Sequence, residues 1–209
     1  MPVTVLVTGF GPFPGAPFNP TGPLVTRLAH LRRPAIADAK IITHIFPTSY
    51  TAVDEQLPKL IAKHKPDALL MFGLATRAKT LRVESRARNS VALIPDVTGT
   101  TTRHIVIRMG APASCSLPSP TQKLLGVLRG AQVPVRPSRD AGRYLCNYLC
   151  WQAAEAARKK RPRLAAFVHV PQVWRGAKPK ERGKAQLSLD DLVRAGSRAM
   201  AAMVAEARR

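Results

Sequence analysis

VTVLVTGFGPFPGAPFNPTGP, residues 3–23, decides the fold. Val3 to Val7 is a β-branched run closed by Thr8-Gly9, the pattern of a strand buried on both faces. Glycines at 9, 11 and 15 invite a dinucleotide-binding reading. The spacing is G-x-G-x-x-x-G, however, and Pro12, Pro14, Pro17 and Pro20 forbid an immediate helix. No phosphate-loop lysine follows. The stretch reads better as a proline-stiffened loop presenting Phe10, Phe13 and Asn19 at the carboxyl end of a first strand. That is where open α/β sheets bind ligands. Asn19 ahead of Pro20-Thr21 suits a helix start, with the helix running from about Gly22 to Leu31.

Outward from this stretch the pattern repeats. Ala39 to Phe46 alternates as a second strand, closed by Pro47-Thr48-Ser49. Thr51 to Lys63 is an amphipathic helix mildly interrupted at Pro58, and Asp67 to Phe72 (DALLMF) is a buried strand ended by Gly73. Strand, helix, strand, helix, strand predicts a parallel sheet covered on both faces. Residues 74–110 differ. Thr80 to Ser85, Ser90 to Ile94 and His104 to Arg108 are strand candidates with no long helix between them, an antiparallel excursion or a long active-site arm. Val83 should face the core, so Glu84 faces the other way, as an ordinary exposed strand carboxylate would.

Leu117 to Leu128 reads as a helix, and Val133 to Val135 as an edge strand tolerant of Pro134. A helix from Asp140 to about Lys160 follows, then a last core strand, Leu164 to Val170, with His169 at its carboxyl end. Residues 172–186 read as a basic loop interrupted by glycine and proline. Ser188 to Arg208 is a terminal helix whose Ser188 and Asp191 have capping-box spacing. There is no internal repeat and no linker, so residues 1–209 are expected to form one α/β domain.

The chemistry is sought in DAGRYLCNYLCW, residues 140–151. Asp140 can cap a helix start, and apolar residues recur at Tyr144, Leu145, Tyr148, Leu149 and Ala153. Cys146 lies within about two turns of that start, where the positive end of the helix dipole favours a thiolate. On this stretch alone a small buried hydrophobe explains Cys146 better. The three cysteines, Cys115, Cys146 and Cys150, are too few and too odd in number for a disulfide framework. Cys146 and Cys150 share a helix face, but no Cys-x-x-Cys or paired histidine spacing completes a zinc site.

The net charge of +21, from 33 Lys and Arg against 12 Asp and Glu, favours polyanionic partners. The positives are scattered, and the denser groups, Arg158 to Arg163 and Arg175 to Lys184, lack the interleaved aromatics of a single-strand binding platform. A solvated basic surface accounts for them, with no dedicated nucleic-acid or membrane partner. No charged leader precedes the first strand, and no apolar run reaches the roughly 18 residues of a membrane span. The chain is therefore expected in the cytoplasm, with its thiols reduced.

These residues resemble the pyroglutamyl peptidase I family, the C15 cysteine peptidases. The opening VLVTGFGPFPG…NPT is similar to the family's start. Leu81 to Pro95 (LRVESRARNSVALIP), Asp140 to Asn147 (DAGRYLCN), Phe167 to Pro171 (FVHVP) and Leu187 to Leu189 follow in the family's order, over residues 3 to about 205. The resemblance implies a single-domain α/β/α sandwich with a mixed, mainly parallel central sheet. It implies Cys146 as nucleophile, His169 as general base and acid, and Glu84 as the group orienting the imidazole. It implies a pocket for an N-terminal 5-oxoproline walled by Phe10 and Phe13, with Asn19, Thr48 and Leu74 beside them. No metal or cofactor is implied. The partners are N-terminally pyroglutamylated peptides and further copies of the chain, as a dimer or tetramer. An oxyanion would be met by backbone N–H groups at the Cys146 turn or in the Gly9–Gly11 loop. The family's usual Glu-Arg is Glu84-Ser85 here, its Gln in the Gly-Gln-Ala-Gly-Gly-Arg stretch is Leu74, and the pattern after the histidine becomes Gln172-Val173-Trp174. These departures keep open a related amidase acting on another small amide. The charge leaves, as a third reading, a polyanion binder using Arg175 to Lys184.

Overall fold

The computed structural model describes residues 2–174 and 187–209. The basic loop expected over 172–186 falls, from residue 175 on, outside the described residues, and so does the Arg175–Lys184 cluster. Elements follow in the order β1 (Thr4–Phe10), α1 (Thr21–Ala29), β2 (Lys40–Phe46), α2 (Tyr50–His64), β3 (Ala68–Leu74), β4 (Leu81–Glu84), β5 (Arg86–Arg88) and β6 (Ser114–Ser116). They continue as α3 (Thr121–Gly130), β7 (Val135–Ser138), α4 (Leu145–Arg158), β8 (Leu164–Val170) and α5 (Leu189–Ala207).

Six strands form one sheet in the order β2-β1-β3-β8-β4-β7. All neighbours are parallel except β8 and β4, which run antiparallel. The sheet is thus mixed and mainly parallel, and helices cover both faces. Alternation along the strands sorts the core. Val5, Val7, Leu70, Phe72, Val83, Ala166 and Val168 pack under α1, α3 and α5 with Leu24, Leu28, Leu124, Leu128 and Met203. Leu6, Leu69, Met71, Ala165 and Phe167 pack under α2 and α4 with Val53, Leu57, Leu149 and Trp151. The central strands β1, β3 and β8 are apolar on both sides because both sides are covered. Among the described residues no helix is long and apolar enough to cross a membrane.

Several local expectations are corrected. Glu84 is not exposed: its burial is complete, because β4 lies inside the sheet and α4 covers the face opposite Val83. The helix carrying Cys146 does not begin at Asp140 but at Leu145. Asp140 is engaged elsewhere. Its Oδ1 accepts from the Gly142 N–H (3.1 Å), closing a turn in which Gly142 takes φ +83°, and its Oδ2 meets Arg88. A left-handed residue of that kind cannot sit inside an α-helix, so the helix starts after it. Gly73 does not end β3, which runs on to Leu74. The third helix starts at Thr121 rather than Leu117, and the edge strand is Val135–Ser138 rather than Val133–Val135.

Ser90–Ile94 and His104–Arg108 are not strands. The antiparallel excursion is the small β5–β6 ribbon, and the segment between is an irregular arm. Asn89 takes the place of a ladder partner. Its Oδ1 accepts from the N–H groups of Ile107 (3.0 Å) and Arg108 (2.8 Å), and its Nδ2 donates to the carbonyls of Arg108 (2.8 Å) and Ala111 (3.2 Å). One buried side chain thus satisfies backbone groups that would otherwise need strand pairing.

At the C-terminal helix the capping box is formed in full. The Ser188 hydroxyl accepts from the Asp191 N–H (3.1 Å), and the Asp191 carboxylate accepts from the Ser188 N–H (2.9 Å). Ser188→Ala is expected to cost about 1 kcal/mol in urea unfolding, with the slope unchanged, since a helix N-cap is lost and no core atom moves.

Candidate active site

Period-two alternation puts the chemistry on one face of the sheet. Gly73 continues the side of Leu69 and Met71, His169 the side of Phe167, and Glu84 the side opposite Val83. All three therefore point toward α4. Chain order brings them to one place. The chain after β1 crosses one face through α1 to β2, then returns over the other face through α2 to β3. A crevice opens outside the carboxyl ends of β1 and β3, where such sheets bind ligands. β8 lies beside β3, with Gly73 paired to His169. Antiparallel β4 sets Glu84 opposite Phe167, diagonal to His169.

His169 is 6% exposed, and its Nδ1 lies 2.9 Å from Oε1 of fully buried Glu84. The imidazole also interacts with the Cys146 side chain, by charge and by a hydrogen bond. Burial alone would lower the imidazole pKa. The charge and hydrogen bond of Cys146, then those of Glu84, outweigh it and raise the pKa to about 9. Cys146 is the second residue of α4, half-buried, closer to the helix start than the sequence indicated. Cys150, one turn on, is wholly buried, and burial followed by the neighbouring Cys146 charge pushes its thiol up. The two sulfurs thus have opposite environments: one meets an imidazole at an opening, the other stays a protonated core side chain. Among the described residues no group of three or more His, Cys, Asp or Glu side chains could hold a metal ion.

Beside the thiol and imidazole is a cavity of about 150 Å³, lined by residues that include Phe10, Phe13, Asn19, Thr48, Leu74, Tyr144, Cys146 and His169. Every pocket residue expected from the sequence borders it. Their polar groups are less free than expected. The Asn19 Nδ2 donates to the Gly11 carbonyl (2.9 Å), its Oδ1 accepts from the N–H and hydroxyl of Thr21, and the Thr48 hydroxyl donates to the Gly11 carbonyl (3.1 Å). Both side chains shape the loop, and one Asn19 amide hydrogen is left for a ligand. Of the departures from the family pattern, only Leu74 borders the cavity. Ser85 instead bonds to the Ser138 carbonyl, and Gln172 is exposed and reaches Phe18. A larger cavity of about 370 Å³ lies between α2 and α4, lined by Asp54, Arg108 and Glu155 among others, and includes none of the Cys146, His169 and Glu84 set.

The two candidate oxyanion sources separate. In the first loop the Gly11 N–H donates to the Phe46 carbonyl and the Phe10 N–H to the Thr21 hydroxyl. At the start of α4, the first-turn N–H groups of Leu145, Cys146 and Asn147 have no carbonyl one turn back within the helix.

Sequence reasoning missed four contributors. Gly73 is the floor under the sulfur. A Cβ there would stand 2.8 Å from the Cys146 Sγ and 2.5 Å from the Phe167 ring. Tyr144, noted only as part of an apolar stripe, lines the cavity, and its hydroxyl donates to the Pro95 carbonyl (3.0 Å). Asn147 ties α4 to the arm, its Oδ1 accepting from the Arg88 N–H (2.8 Å) and its Nδ2 donating to the carbonyls of Arg88 and Ser90. Asp96 accepts from the Tyr50 N–H at the start of α2 and from Thr98 and Thr100. Burial works against its charge, but these bonds hold its pKa down. Only Gly73 left a local signal, a glycine beside an apolar strand run, and close backbone approach is one meaning of such a glycine.

A family model described as pyroglutamyl peptidase matches residues 3–206. A pyrrolidone-carboxylate peptidase of Pyrococcus furiosus is 33% identical over 171 residues, 81% of either chain. One of Streptococcus suis is 34% identical over 203 residues, 96% of this chain and 92% of that one. The crystal structure of pyroglutamyl peptidase I from Bacillus amyloliquefaciens superposes with a TM-score of 0.83 at 27% identity, covering 97% of each chain.

Gly73→Ala is expected to leave the chain folded at a cost of about 1–3 kcal/mol for overpacking. Alkylation of the Cys146 thiol should slow at least about tenfold, because the added methyl moves the sulfur off the imidazole. Mass-spectrometric rates of iodoacetamide labelling check this.

Proposed function

The chain belongs to the pyroglutamyl peptidase family, and from that footing we propose how it cleaves the amide bond after an N-terminal pyroglutamyl residue. It is a cysteine-type peptidase whose substrates are pyroglutamyl peptides. Residues 1–209 act as one catalytic domain. The observation that carries the mechanism is the Cys146–His169–Glu84 line beside a cavity sized for one small ring.

The lactam ring lies between Phe10, Phe13 and Tyr144, where a flat uncharged group loses water against aromatic walls. With no ammonium to grip, selectivity comes from ring shape and the spare Asn19 amide hydrogen. The thiol proton passes to His169, whose raised pKa favours the imidazolium at neutral pH. The sulfur attacks the scissile carbonyl, and the oxyanion is met by the first-turn N–H groups of α4. His169 then gives its proton to the departing amine nitrogen, leaving a thioester. Water, deprotonated by the same ring, attacks the thioester, and pyroglutamate leaves with the sulfur restored. Glu84 fixes the tautomer and stabilises the charged ring throughout. The chain works as the expected homo-oligomer. Its arm supports this, with Leu93, Ile94, Ile105 and Met109 between 52% and 76% exposed. A related amidase with another small acyl group rests on Leu74 alone, the one altered residue bordering the cavity.

Cys146→Ser and His169→Ala should each lower kcat/KM for a pyroglutamyl coumarylamide by at least about a thousandfold, and a thiol alkylator should abolish wild-type turnover. Full activity in both variants would end the thiol mechanism. The pH profile has its own sign. The imidazolium that protonates the leaving amine is present below about pH 9 and lost above it. kcat/KM should therefore fall along an alkaline limb near that value. Glu84→Gln removes a group that raises the imidazole pKa, so the limb should move to lower pH.

A further inference from the structure

The cavity of about 150 Å³ is well below the roughly 300–1,000 Å³ of sites that enclose larger ligands. It takes the pyroglutamyl ring and little else, so the peptide beyond the scissile bond must lie at its opening. Three consecutive residues grade outward there: Leu145 is buried, Tyr144 is half-buried and Arg143 is exposed, and all three line the cavity. Arg143 is thus a cation on the rim that the departing chain crosses.

Its guanidinium is also unspent. Among the described residues it has no hydrogen-bond or ion-pair partner, and the neighbouring carboxylates are occupied. Asp140 pairs with Arg88, Asp96 is held by Tyr50, Thr98 and Thr100, and Glu84 is buried against His169. The backbone of Arg143 is fixed independently, its carbonyl accepting from the Ala92 N–H at 2.6 Å. A guanidinium is a fixed charge with a fork of donors matched to a carboxylate. In a chain of net charge +21, nothing long-range offsets its field.

We propose that Arg143 sets specificity on the leaving side, receiving a carboxylate close to the scissile bond. Resting on the pyroglutamyl peptidase reading above, this makes the preferred substrates pyroglutamyl peptides whose next residue is acidic, or pyroglutamyl dipeptides with a free C-terminal carboxylate. Cations in the same place are disfavoured.

The test is a panel hydrolysed by the full chain: pyroglutamyl-glutamyl amide against pyroglutamyl-lysyl amide, and pyroglutamyl-alanine against its amide. The first pair reports a side-chain carboxylate, the second a terminal one. In low salt, kcat/KM should favour the acidic member of at least one pair by about tenfold, in line with one partly screened charge acting in attraction and in repulsion. The ratio should shrink toward one in about 0.5 M salt. Arg143→Met should flatten it and Arg143→Glu should invert it. Ratios near one for both pairs in the wild type overturn the proposal whether or not the variants fold. A wild-type preference that survives in Arg143→Met also overturns it, since the basic surface at large would then be responsible. Turnover of no member of the panel removes the peptidase reading itself, and the preference with it.

Discussion

A carboxylate with no exposure to water must have its charge answered within the protein. Glu84 is such a group, with one oxygen 2.9 Å from His169 and the other without a hydrogen-bond partner. An isolated buried charge is costly, and removing its partner costs several kcal/mol because the charge is left unpaired. The imidazole next to it is favoured in its protonated form, by the Cys146 side chain first and by Glu84 after it. That proton has a natural donor in the Cys146 thiol. The three groups are thus tied to one another by burial as much as by distance. β4, β8 and α4 must stay in register for the charge to be tolerated at all. The reversal of β4 relative to β8 is part of this, because it sets Glu84 diagonal to His169 rather than at a distant strand end.

Much of this was legible in the residues, and the rest shows where local pattern stops. β8 was bounded correctly from its apolar run, and so was the position of His169 at its end. The capping box at Ser188 was readable because its two partners lie three residues apart. Glu84 was misjudged because alternation tells which side a residue faces, but not whether a helix from 60 residues later covers that side. Asp140 was misjudged because a carboxylate serves a turn as well as a helix start, and the glycine two residues on decides between them. The arm was misread as strands because Val91 and Ile105 have the right residue type, while the amide of Asn89 supplies the bonds a neighbouring strand would have made. Arg143 was invisible among 33 basic residues, since only the cavity distinguishes it.

The pocket shows the same division between what is shared and what is this chain's own. Phe10, Phe13, Asn19 and Thr48 border the cavity as the resemblance implied, yet Asn19 and Thr48 spend most of their hydrogen bonds holding the first loop against Gly11. A residue can thus line a site and still act chiefly by fixing its walls. Leu74 adds an apolar wall, so the cavity offers shape and backbone groups more than side-chain polarity. A proline-rich loop suits such a cavity, because a wall that yields cannot discriminate by shape.

Asn147 adds a mechanical consequence. It follows Cys146 directly in the chain, and its amide is shared with the backbone of Arg88 and Ser90 at the root of the arm. Any swing of the arm that widened the opening would pull on the residue attached to Cys146. The arm and the start of α4 are thus tied to one another through one amide.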